Sequence, residues 1–352
     1  MSSSTSFGSL LSLLTQVETA GADLVRDLPF TARQIKGEAE DPIERIRRAV
    51  GFQLLGMAQR ANDPACRDRL NSTAACLDER LTAISDLANS DHIRPLRRIA
   101  VEKYGAPVPV EERPLRIGVY PLAANPLHWG HILVGLTVMA SMRLDKVIYV
   151  IAGADRRKPS LLSAEARHRL GRSVIGEFHP LFASSSLALG TDLDGETNLG
   201  RLLSLNSRQR LEAFYVAGAD HYRRTTVQGE PDTIQKLERV VEEQKKAGRT
   251  LHKISAVFID RAGAEGRQGN VATTLEVHVL PPLPVSFSST AARKALCKES
   301  FSEVLVALPH SCLLEIRAAG LYAGNGECSQ DKGIRPARPP GAKPPGPVED
   351  AL

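Results

Sequence analysis

Apolar positions recur along the chain with three textures. Up to about Glu112 they fall only at helical spacing. Leu70, Ala74, Leu77, Leu81, Ile84 and Ala88 step by four and three in alternation, which draws one apolar stripe along a helix. Asp41-Pro42 and Asp63-Pro64 each set a capping carboxylate before a proline at a first helical position. The pattern predicts a helical hairpin or small bundle over residues 1–110. Its seam would pack on the rest of the chain or on a second copy, making a homo-oligomer.

From Leu115 the texture changes to short apolar runs alternating with amphipathic stretches. Strands are predicted at 115–120, 146–151, 181–187, 213–217, 254–259 and 275–280. Helices are predicted near 132–142, 164–175, 198–210 and 233–247, and again from Ser289 to Tyr322. This alternation is that of an α/β fold: a Rossmann-like open parallel sheet with helices on both faces. Such a sheet takes its ligand at the carboxyl ends of the strands. We place this domain at 111–325. Residues 326–352 are rich in Pro, Gly and charge and lack large apolar side chains, which predicts a disordered tail.

Composition narrows the class of protein. Of the 352 residues, 42% are hydrophobic and 24% charged, the balance of a globular chain. No apolar run approaches the roughly 18 residues that cross a bilayer, and Ser12 and Glu18 interrupt the apolar start, so neither a membrane span nor a leader is expected. Cys66, Cys76, Cys297, Cys312 and Cys328 are few, odd in number and not at metal-ligand spacing. They read as free thiols of a cytoplasmic protein. The formal charge of +5 lies between 111 and 326, because both flanks are balanced. With only 5% aromatic residues and no basic stripe, that surplus suits a pocket for a small polyanion rather than a nucleic-acid surface.

Two stretches carry candidate chemistry. The first follows the first strand: Asn125-Pro126-Leu127-His128-Trp129-Gly130-His131, then an apolar helix. Two imidazoles three residues apart at a strand-to-helix turn sit where backbone N–H groups await an anion, and Gly130 lets that backbone come close. A zinc site would need a third ligand, and none lies at familiar spacing. The second stretch is Val285-Ser286-Phe287-Ser288-Ser289-Thr290-Ala291-Ala292-Arg293. Hydroxyls open a helix there, with a guanidinium one turn in, a second anion cradle or an ordinary helix cap. Trp129 either stacks on a base or anchors the helix, with the anchor favoured.

Together the stretches resemble the nucleotidylyltransferase superfamily, whose signatures are H-x-G-H after the first strand and S-S-T-x-x-R before a late helix. The chain is most similar to bacterial nicotinate-nucleotide adenylyltransferases, over about 115–322. Arg157-Lys158-Pro159 with Ser163–Arg169, Val216–Asp220, and Leu308-Pro309 with Gly320-Leu321-Tyr322 match that family in order.

The resemblance implies AMP transfer from ATP to nicotinate or nicotinamide mononucleotide with release of pyrophosphate, in NAD biosynthesis. It assigns catalysis to His128, His131 and Arg293. ATP and its phosphates would be held by Ala123, Ala124, Asn125, Gly130, Lys158, Ser288, Ser289 and Thr290. The acceptor would meet Gly218 and Asp220, with Mg²⁺ arriving on the ATP phosphates. Two alternatives stay open, another phosphorylated acceptor and a non-catalytic nucleotide-binding relative. One departure bears on them: Pro121 and Leu122 stand where the family has two glycines. Pro121 lacks an N–H, and Leu122 adds bulk where phosphates are expected to pass.

Overall fold

The computed structural model describes residues 41–103, 108–110, 112–154, 161–226, 228–249, 251–260, 271–298 and 300–322. The predicted tail and Cys328 lie outside them. Six parallel strands form one sheet: β1 (Leu115–Leu122), β2 (Lys146–Ile151), β3 (Phe182–Ser185), β4 (Leu211–Gly218), β5 (His252–Ile259) and β6 (Glu276–Leu280). Their order is β3-β2-β1-β4-β5-β6, the doubly wound arrangement of a Rossmann-like fold. The α/β expectation therefore holds, strand for strand.

The helices are α1 (Pro42–Ile46), α2 (Phe52–Arg60), α3 (Pro64–Asn89), α4 (Trp129–Met142), α5 (Ala164–Glu177), α6 (Gly195–Leu205), α7 (Thr233–Lys246), α8 (Ser289–Cys297), α9 (Phe301–Ala307) and α10 (His310–Ala318). A single π turn, Arg47–Gly51, joins α1 to α2. The Asp41 carboxylate accepts from the Ile43 N–H at 3.0 Å, and Asp63 accepts from the Ala65 N–H at 3.1 Å. Both caps satisfy amides that a helix start leaves unpaired.

From Leu70 to Ile84 the stripe along α3 is buried and faces inward, packing α3 on α2 and on α4. The N-terminal helices therefore share one core with α4, α5 and α8–α10 on one face of the sheet. The other face is covered by α6 and α7. Strands buried on both faces need apolar residues throughout, which is why β2 reads Lys-Val-Ile-Tyr-Val-Ile, every residue buried. Its one charged residue, Lys146, sends its ammonium to the carbonyls of Pro95 and Pro180.

Some boundaries differ from the sequence expectation. Helix α6 begins earlier, where the Asp194 side chain accepts from the Thr197 N–H at 2.9 Å. It ends at Leu205, because the next side chain, Asn206, pairs with both backbone groups of Ala100. The long helical run after Ser289 divides into three, the last break falling at Pro309. Cys66, Cys76 and Cys312 are free and buried, whereas Cys297 is disulfide-bonded, which corrects the all-thiol expectation. Among the described residues no helix is long and apolar enough to cross a membrane.

The sheet opens at its centre. Pairing of β1 with β4 stops at Val119 and Tyr215. Beyond that point β1 runs on beside β2 to Leu122, and β4 runs on beside β5 to Gly218. The crossovers leave in opposite directions here, so a crevice forms between the carboxyl ends of β1 and β4.

Candidate functional site

A cavity of about 710 Å³ occupies this crevice. Tyr120, Ala123 and Asn125 line it from the end of β1 and the loop that follows, and His128, Gly130, His131 and Val134 from the start of α4. Ala217, Gly218, Ile259 and Asp260 enter from the ends of β4 and β5, and Leu283, Val285 through Thr290 and Arg293 from the loop into α8 and its first turns. Helices α4 and α8 both start at its wall, capped by His128 and Ser288, so two positive helix ends meet there.

The two histidines are locked against each other. Their rings stack with centroids 3.8 Å apart and 27° between planes. The His128 backbone N–H donates to Nδ1 of His131 at 3.2 Å. An imidazole nitrogen that accepts carries no proton, so the neutral His131 ring bears its hydrogen on Nε2. Beneath them, the buried Tyr149 hydroxyl donates to the His131 carbonyl at 3.1 Å. Burial holds that phenol well above its usual pKa, so it stays a donor.

The second stretch closes directly on the first. Phe287 stacks on the outer side of His128, with centroids 6.1 Å apart. A Cβ at position 130 would stand 3.0 Å from both the His128 ring and the Phe287 Cβ, so this approach depends on glycine. Ser289 donates from its hydroxyl to the Pro126 carbonyl at 3.2 Å. Arg293 donates to the Asn125 carbonyl at 2.7 Å and to the Thr290 hydroxyl at 3.2 Å. Ser288 accepts from the Ala291 N–H at 3.3 Å, so it caps α8 as well as facing the cavity.

Most of the residues singled out in the sequence thus come together: His128, His131, Arg293, Ala123, Asn125, Gly130, Ser288, Ser289, Thr290 and Gly218 all line the cavity. Ala124 does not. It is buried, with its backbone in the left-handed region at φ 50°, and serves the turn instead. Asp220 also stands outside the lining, half-exposed, 3.7 Å from the His221 ring. Lys158 lies outside the described residues. Trp129 is fully buried and away from the cavity, in the anchor role.

Further contributors escaped sequence reasoning. Tyr120, Asp260 and the apolar pair Ile259 and Leu283 also line the cavity. They sit at strand ends and in a loop, where no spacing marks them. Arg167 is another. Its guanidinium is buried and donates to the carbonyls of Leu162, Ala123, Ala152 and Gly153, tying the loop after β1 to the end of β2. A basic residue on a helix reads as surface unless its carbonyl partners are known.

Comparison with known proteins finds relatives that share one name. Over 113 residues the chain is 31% identical to a probable nicotinate-nucleotide adenylyltransferase of Thermus thermophilus, a stretch of 31% of this chain and 58% of that protein. A Thermoanaerobacter protein of the same name is 26% identical over 113 residues, 31% of this chain and 53% of its own length. The chain is similar to the nicotinate-nucleotide adenylyltransferases. It spans a little over half the length of the curated relatives it matches. No family model matches. Among solved structures, the Plasmodium falciparum nicotinic acid mononucleotide adenylyltransferase complexed with NaAD aligns at a TM-score of 0.44 and 15% identity. That alignment covers 59% of this chain and 97% of that one.

The departure from the adenylyltransferase pattern has a structural resolution. Residues alternate across β1, so Tyr120 faces the cavity side while Pro121 turns to the opposite face. A Cβ at Gly195, the first residue of α6, would come within 2.6 Å of the Pro121 ring, so the two are in close contact there. Pro121 costs the sheet no bond toward β4, because that ladder has already ended at Val119. Leu122 packs into the core shared with α4. Neither residue lines the cavity, contrary to the expectation that their bulk meets the phosphates.

Proposed function

We propose that this chain is a nucleotidyltransferase that moves AMP from ATP to nicotinate or nicotinamide mononucleotide and releases pyrophosphate. One observation carries the reading: the paired imidazoles and the hydroxyl–guanidinium cluster, distant in sequence, line a single cavity at two helix starts. The similarity to adenylyltransferases supports it.

In this reading the acceptor's 5′-phosphate oxygen forms a bond to the α-phosphorus of ATP. The bond from that phosphorus to the bridging oxygen breaks in line, and pyrophosphate leaves. The attacking phosphate is largely dianionic at neutral pH, so no side chain has to remove a proton. Catalysis then reduces to alignment and to stabilising charge as it builds on the transferring group. His131 donates from Nε2 without needing to be charged, and His128, stacked on it, flanks the same oxygens. Arg293 with Ser288, Ser289 and Thr290 holds the triphosphate, and Gly218 lets the acceptor approach the end of β4.

Among the described residues, no cluster of three or more His, Cys, Asp or Glu side chains is arranged to hold a metal ion. Mg²⁺ would arrive on the ATP phosphates and keep most of its waters, and the Asp260 carboxylate of the lining would be its protein contact. When bound with ATP, the ion supplies charge neutralisation. The test is a pyrophosphate-release assay with ATP and a panel of phosphorylated acceptors. Release with a pyridine mononucleotide alone is the expected result. Release with a different acceptor reassigns the substrate, and ATP binding without release from any acceptor leaves a nucleotide-binding protein.

A further inference from the structure

Tyr322 is the last described residue of the chain, and it reaches back to the loop that follows β1. Its hydroxyl donates to Oδ1 of Asn125 at 2.8 Å, across 197 positions. The Leu162 N–H, which can only donate, reaches the same oxygen at 3.3 Å and so identifies it as the carbonyl end of the Asn125 amide. Asn125 is almost wholly buried, and its backbone carbonyl accepts from Arg293. One residue is therefore gripped from three sides, and two of its neighbours, Arg293 and Thr290, line the cavity with it. Tyr322 itself stands at φ 61°, a left-handed backbone that is uncommon for any residue but glycine. Strained backbone persists where surrounding contacts over-determine it.

We infer that Tyr322 is a positioning residue: its phenol holds the Asn125 loop in the register that seats Arg293 against the triphosphate. The chain reaches this position through α10, which packs on α5, so the anchor for the phosphate loop comes from the far end of the fold. Without the hydroxyl, the Asn125 side chain loses its shorter bond and the loop relaxes. The Arg293 guanidinium, which takes its place from the Asn125 carbonyl, moves with it.

The inference rests on the proposed function, and its test separates the two. In Tyr322→Phe the ring and its packing remain. Hydrogen exchange at Leu162 and at residues 123–127, read without nucleotide, should quicken at least ten-fold, while the melting temperature stays within about two degrees. ATP affinity by calorimetry should weaken about ten-fold. In an Arg293→Ala background the same change should add less than two-fold, because Tyr322 acts through that arginine. Unchanged exchange in the loop, or an equal loss of affinity with and without Arg293, overturns the inference. Quickened exchange in a protein whose wild type binds no ATP overturns the functional reading instead and leaves the anchor standing.

Discussion

Arg293 donates to the backbone carbonyl of Asn125 at 2.7 Å, across 168 positions of chain. That bond ties the start of α8 to the loop between β1 and α4, and it makes one cavity out of two stretches that a linear reading holds apart. With the Ser289 bond to Pro126 and the stacking of Phe287 on His128, it sets the histidines and the hydroxyl cluster facing each other.

His131 is predicted to matter through a single donor. Its Nδ1 is occupied by the His128 N–H, so only Nε2 can serve a phosphate oxygen. Loss of one preorganised donor costs about 10²–10³ in turnover. His131→Ala should therefore lower pyrophosphate release by at least two orders of magnitude, with the far-ultraviolet circular dichroism unchanged. Near-normal release would remove His131 from the proposed mechanism.

Pro121→Gly tests whether the departure from the family pattern reaches the cavity. The ring faces Gly195 on the opposite side of the sheet. Restoring glycine should leave ATP affinity within two-fold of the parent. It should cost stability by about 1 kcal/mol, from greater freedom in the unfolded chain and lost packing. A large gain in affinity would show that the ring does obstruct the nucleotide.

Arg167 should behave as a structural keystone. Its guanidinium is buried among four carbonyl acceptors. Arg167→Met removes all four bonds at once, and each buried carbonyl left alone costs about 1–3 kcal/mol. Chemical denaturation should show a loss of at least 3 kcal/mol. A loss below 1 kcal/mol would mean that water replaces the guanidinium freely.

Lys146 gives the fold a pH signature. Burial lowers its pKa to about 8 from 10.5, against the opposing pull of Asp145. In the window between those values the unfolded chain binds more protons than the folded one, so this group's contribution to stability rises with pH. Below about pH 8 both states are charged and the burial cost is carried in full. The stability difference between wild type and Lys146→Met should therefore shift in favour of wild type as pH climbs from 8 to 10. A difference that stays flat would show that the ammonium is not desolvated.

Much of this was legible in the sequence, because local periodicity and local chemistry are written residue by residue. The strand runs, the two Asp-Pro caps, the α3 stripe and the two motif stretches follow from spacing alone, since side-chain direction repeats every two or about 3.6 residues. Tertiary structure decided what depends on distant partners. It set Pro121 on the face covered by α6, took Ala124 and Asp220 out of the lining, buried Arg167 among carbonyls and brought Tyr322 to Asn125. A carbonyl acceptor is present at every residue and leaves no mark in the sequence. Which of them a guanidinium or a phenol will find is settled only when the chain folds.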